Sequence, residues 1–205
     1  MHRNAKAGAG VRAFALAILC GAVSSTPAKD ATANQLPPGY SLAGTGGRHD
    51  FDFLAGAWTT HQHRLKTRGE GSTEWGDAPS NVHCATQYLD GLTTVEESYS
   101  PTKSVTGLFL YLFDLQKRQW SLYWIDPKSG NLGSPLVGGF AGDRGAFYGE
   151  DVDDGRPVKV RYAWTKVDND HARWEQAFSF DGRTWETNWT SEFTRANPAE
   201  VCTRK

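Results

Sequence analysis

The sequence predicts an all-β fold, a closed antiparallel up-and-down barrel of about ten strands. Three observations carry this. From Phe51 onward, short stretches of alternating apolar and polar residues are divided by Gly, Asp, Asn and Pro. No stretch keeps a helical period beyond a single turn, around Asp50 to Leu54. The connections are short, so successive strands pair as neighbours, and such a meander hides its edges by closing on itself. A two-sheet sandwich is the rival fold, but it needs longer crossovers than these loops provide.

The elements follow in order. Residues 58–66 (WTTHQHRLK) are extended, and 69–81 (GEGSTEWGDAPSN) read as a loop. Residues 82–89 and 93–99 flank Asp90-Gly91, a hairpin signal. Residues 105–114 and 118–126 flank a turn at Leu115 to Lys117. Residues 135–140 and 146–151 flank Gly142-Asp143-Arg144-Gly145. Strands at 156–167, 172–180 and 183–195 complete the run.

The last hairpin is the most aromatic. Taking Asp181-Gly182 as a two-residue turn pairs Phe178 with Trp185, Gln176 with Thr187 and Trp174 with Trp189. That register puts the rings inside and leaves Glu175, Asn188, Arg173 and Thr190 outside. Gln176 and Thr187 then sit between aromatic rings, where a buried amide needs a partner or a cavity. One strand earlier, Val160, Tyr162 and Trp164 share a face, with Arg161 on the other.

Ahead of the barrel, residues 1–28 have the pattern of a secretory signal: Arg3, Lys6 and Arg12, an apolar run from Val11 to Val23, then small residues. Cleavage fits after Ala28 or as late as Ala33. Removing residues 1–28 takes away three basic and no acidic residues, moving the formal charge from −1 to −4. A mildly acidic mature chain has no electrostatic case for nucleic acid, and the apolar run is too short to span a membrane. Residues 29–48 read as a flexible lead-in, and residues 49–205 as one domain. The expected location is periplasmic or secreted. There, an even pair of cysteines, Cys84 and Cys202, reads as a disulfide.

HDFDFLAGAW (49–58), HRL (63–65), YWID (123–126), GGFAGDRGAFYGED (138–151), VRYAWT (160–165) and RWEQAFSFDGRTWETNW (173–189) resemble the uncharacterised bacterial family DUF1579. The resemblance runs from about His49 to Arg195. It implies a lipocalin-like barrel of the calycin group and leaves the activity open. Gly56-x-Trp58 is also similar to the first-strand signature of lipocalins, in which the Trp plugs the closed end. Nitrobindin, a haem-holding relative of that group, is of comparable size.

Ten strands enclose more space than side chains fill. The expected function is therefore to bind a small hydrophobic or aromatic molecule in the lumen. Trp124, Tyr162, Trp164, Trp174, Gln176 and Trp189 would line it, with Arg64 as polar anchor. The alternative is an enzyme of isomerase, cyclase or hydrolase type using one lumen carboxylate or His. Glu74, Glu96 and Glu97 are the carboxylates considered, and all read best as a solvated edge. Arg64 and Arg161 are the matching anion clamps. A filled structural barrel is a further alternative.

No metal or cofactor is expected. His61 and His63, two apart on a strand, are weak candidates for a metal pair, with His83 or His171 as third ligand. If Trp58 points inward, strict alternation puts both histidines outside. A non-covalent haem would take His61, His63 or His83 as axial ligand. Nucleophile elbow, phosphate loop and dinucleotide signatures are missing from the sequence.

Overall fold

The computed structural model describes residues 46–202. Residues 1–28, expected to be a leader, and residues 29–45 of the expected lead-in lie outside the described residues. Eleven strands follow a short 3-10 turn at Asp52–Leu54: β1 Gly56–Leu65, β2 Trp75–Ala78, β3 Val82–Tyr88, β4 Thr93–Tyr99, β5 Val105–Asp114 and β6 Gln119–Ile125. Then come β7 Leu136–Ala141, β8 Arg144–Asp153, β9 Arg156–Lys166, β10 His171–Ser179 and β11 Glu186–Ala196. A one-turn helix, α1, spans Pro198–Val201.

From β3 to β11 each strand pairs antiparallel with its successor, and β1 pairs with both β3 and β11. Ten strands thus form a closed antiparallel barrel. The eleventh, β2, arises within the stretch expected to be loop. Residues 56–59 of β1 pair with β3, whereas residues 62–65 pair with β2. β2 therefore replaces β3 beside the upper half of β1. Its four residues are too few to show a period in the sequence.

One end of the barrel is packed solid. The Phe51 ring sits among Tyr111, Trp120, Phe140 and Phe147 at centroid distances of 4.6 to 5.7 Å. Trp58 is fully buried there, and its indole N–H donates to the Leu54 carbonyl at 2.9 Å. Arg195 lies 3.7 Å over the Trp58 ring and donates to the Phe53 and Ala55 carbonyls, fastening the end of β11 across the plug. Cys84 on β3 is disulfide-bonded to Cys202 just after α1.

The last hairpin departs from the predicted register. Asp181 is the acceptor for the Arg183 and Thr184 amides and the Thr184 hydroxyl, opening a loop in place of a two-residue turn. These bonds hold the Asp181 carboxyl far below its ordinary value, the Thr184 amide contributing most. Gln176 then pairs with Trp189, and Trp174 with Ser191, while Ala177 pairs with Thr187. The extra residue at this bulge is Asn188. Trp185, expected opposite Phe178, packs instead on Tyr148 and Arg161 outside the wall. Thr187 leaves the inner face, and Asn188, expected outside, becomes fully buried.

Candidate functional site

Beyond the packed end the barrel holds a cavity of about 330 Å³. β1 contributes Gln62 and Arg64 by alternation from the inward Trp58, without a bulge. Trp124 comes from β6, Tyr162 and Trp164 from β9, Trp174 and Gln176 from β10, and Trp189 from β11. All seven residues expected to face the lumen line this one cavity.

The aromatic wall is built edge to face. Tyr162 meets Trp174 at 4.9 Å, and Trp174 meets Trp189 at 5.6 Å. Arg64 lies 4.5 Å over the Trp189 face. Arg64 is exposed at the cavity rim, yet partial desolvation there lowers its pKa, as does neighbouring Arg68, and among the described residues no carboxylate is in ion-pair contact with it. At the mouth, Arg68 from the β1–β2 loop pairs with Asp153 from the β8–β9 hairpin at 2.6 Å.

The inner amides each find a partner within the wall. The Trp189 indole N–H donates to Gln62 Oε1 at 2.9 Å, and Gln62 Nε2 donates to the Thr60 hydroxyl at 3.0 Å. Gln176 Nε2 donates to Asn188 Oδ1 at 2.9 Å, so its partner is the bulged residue rather than Thr187.

The cavity floor carries an ionisable cluster around Glu96, a residue expected on a solvated edge. Glu96 on β4 is 1% exposed. One carboxylate oxygen lies 2.5 Å from His83 Nδ1 on β3, and the other accepts from the Tyr111 hydroxyl on β5 at 2.5 Å. An ionised carboxylate only accepts, so with Glu96 ionised Nδ1 is the donor nitrogen of His83 and Nε2 is left free of this bond. Burial, and then the Glu96 charge and hydrogen bond, push the Tyr111 phenol well above its ordinary value, so it stays a neutral donor. Burial also pushes the Tyr162 phenol up.

The other acidic and histidine candidates lie elsewhere. Glu97 faces away from Glu96, and Glu74 pairs with Lys66 in solvent. Arg161 stacks on Trp185 on the outer wall. His61 and His63 point outward, with rings 4.5 Å apart. The third metal ligand expected from His83 or His171 is not there: His83 is inside the barrel, and His171 pairs with Asp168. Asp77 on β2 is the residue that approaches His63, at 2.9 Å.

No protein-family model and no curated protein matches the chain.

Proposed function

We propose that this is an exported lipocalin-like barrel that binds a small hydrophobic or aromatic molecule bearing a negative or polar head. One observation carries the reading: a cavity walled by indole and phenol rings, with the Arg64 guanidinium, in no ion pair among the described residues, lining its rim over Trp189. Its volume falls in the ~300–1000 Å³ range of small-molecule pockets. The rings take the apolar body, and Arg64 takes the head through charge-assisted bonds. The leader-like residues 1–28 support export, and the likeness to DUF1579 supports the calycin comparison.

Tryptophan fluorescence tests it, with 2-naphthoic acid and its methyl ester as probes. Both should quench saturably, the acid more tightly. Arg64→Gln should remove the acid's advantage, about 1.5–3 kcal/mol for bonds to a charged group, while Trp189→Ala weakens both. If neither probe quenches saturably and native mass spectrometry of protein from its own host finds no retained molecule, the binding reading falls.

A second reading, catalysis, is favoured by the Glu96–His83–Tyr111 cluster. Buried ionisable groups are costly, and this set orients an imidazole beside the cavity. His83 Nε2 would take a proton from a carbon beside a carbonyl and return it, with Glu96 stabilising the imidazolium. Proton NMR in deuterium oxide should show faster exchange of the α-protons of 2-tetralone, lost in His83→Gln. Equal rates in both proteins would remove this reading and leave binding untouched.

A further inference from the structure

We propose that His61, His63 and Asp77 form a zinc-type metal site on the outer wall of the barrel, independent of the cavity. His61 and His63 share the outer face of β1 because they are two apart on a strand without a bulge. Asp77 on β2 is the register partner of His63. One ligand atom from each of the three residues can be chosen so that all lie within 4.8 Å of one another. The two imidazole rings stand nearly perpendicular, at 80°. Glu192, opposite His61 on β11, is held by Arg173 at 3.2 Å.

The donor set selects the ion. Two imidazole nitrogens and one carboxylate oxygen suit a borderline divalent first-row ion, whereas calcium and magnesium favour all-oxygen shells. Three protein ligands leave a fourth tetrahedral position for water. The side chains of His63 and Asp77 are 40% and 75% exposed, so an ion reaches them from solvent.

The location gives the ion a task. In the sheet, β2 is hydrogen-bonded to β1 alone. A shared ion staples it there. The loop joining β1 to β2 carries Arg68, which closes on Asp153 at the cavity lip. Metal binding therefore steadies one side of the mouth.

The test is calorimetric titration of zinc chloride into untagged, chelator-stripped full chain. One ion should bind saturably, and calcium should not. His61→Ala and His63→Ala should each weaken zinc by at least ~10–100-fold, the range that loss of an outer-shell partner alone produces. Asp77→Asn should weaken it as well. His49→Ala and His171→Ala serve as controls, because each of those histidines also sits beside an aspartate, at 3.1 and 2.9 Å, without a second imidazole. They should leave the affinity unchanged. Absence of saturable zinc binding overturns the proposal. So does unchanged affinity in the His61→Ala/His63→Ala double variant, or an equal loss in His171→Ala. The substituted side chains are on the surface, and circular dichroism verifies that each variant is folded.

Discussion

At the scale of the residue, Glu96 concentrates the cost and the interest of this molecule. Removing it strands His83 and Tyr111, two buried polar groups that both bond its carboxylate. Glu96→Ala should therefore cost about 3–5 kcal/mol, the range for breaking a buried ionic contact. Tyr111→Phe removes one bond to a charged group and should cost about 1.5–3 kcal/mol. Chemical denaturation midpoints check both. Tyr111 and Tyr162 also set an alkaline limit. Their folded pKa values are raised above the unfolded value of 10, so their contribution is fully present below pH 10 and is lost as pH rises through the folded values. Unfolding free energy should fall above pH 10, and less steeply in Tyr162→Phe. The sequence concealed Glu96 for a physical reason. On β4 the inward residues are Thr94, Glu96 and Ser98, while Val95 and Tyr99 lie half-exposed on the other face. Where the polar set faces in, the usual binary pattern points the wrong way.

At the scale of the element, alternation located almost every strand and the tryptophan and tyrosine wall, but not Phe109 or Phe193, which also line the cavity. It failed where the backbone breaks period two. The Asn188 bulge cannot be seen in a row of residue types, because one extra residue changes the register without changing the composition. Asp181 could be seen, but its side chain caps a wider loop than Asp-Gly implies. Two glycines offer a sharper test of how the strands fit. A Cβ at Gly138 would lie 1.9 Å from the Ala146 carbonyl oxygen, a backbone atom of the paired strand β8. Gly138→Ala should destabilise by roughly 1–3 kcal/mol or prevent folding. A Cβ at Gly107 would lie 1.9 Å from the Trp124 ring, a side chain at the open cavity wall that can swing aside. Gly107→Ala should leave the melting temperature closer to wild type but weaken quenching by 2-naphthoic acid. Thermal melts and fluorescence separate the two cases.

At the scale of the whole molecule, closure is the dominant fact. The disulfide joins positions 118 residues apart, from β3 to the segment after α1. In the chain-entropy account a loop of that size is worth about 4–5 kcal/mol. Reduction, or Cys84→Ser with Cys202→Ser, should lower stability by about 2–5 kcal/mol, seen as a thiol-dependent fall in melting temperature. The barrel itself was legible because short connections and turn residues leave a meander few ways to hide its edges. The short β2 and the polar cavity floor were not legible, since both depend on contacts between distant segments rather than on local pattern.

The Ala57–Ala196 end of the seam where β1 meets β11 also bears on the order of assembly. From β3 to β11, each strand finds its partner next in the chain, so those hairpins can form locally. The seam must instead bring together residues such as Thr59 and Thr194, 135 positions apart, and it bears the loop-closure entropy of the entire sheet. Pulse-labelled hydrogen exchange during refolding should find the β1 and β11 amides that face each other protected last, after those between β8 and β9. A chain caught before that step would be an open curl of strands with its aromatic lining exposed to solvent and no chamber to hold a guest.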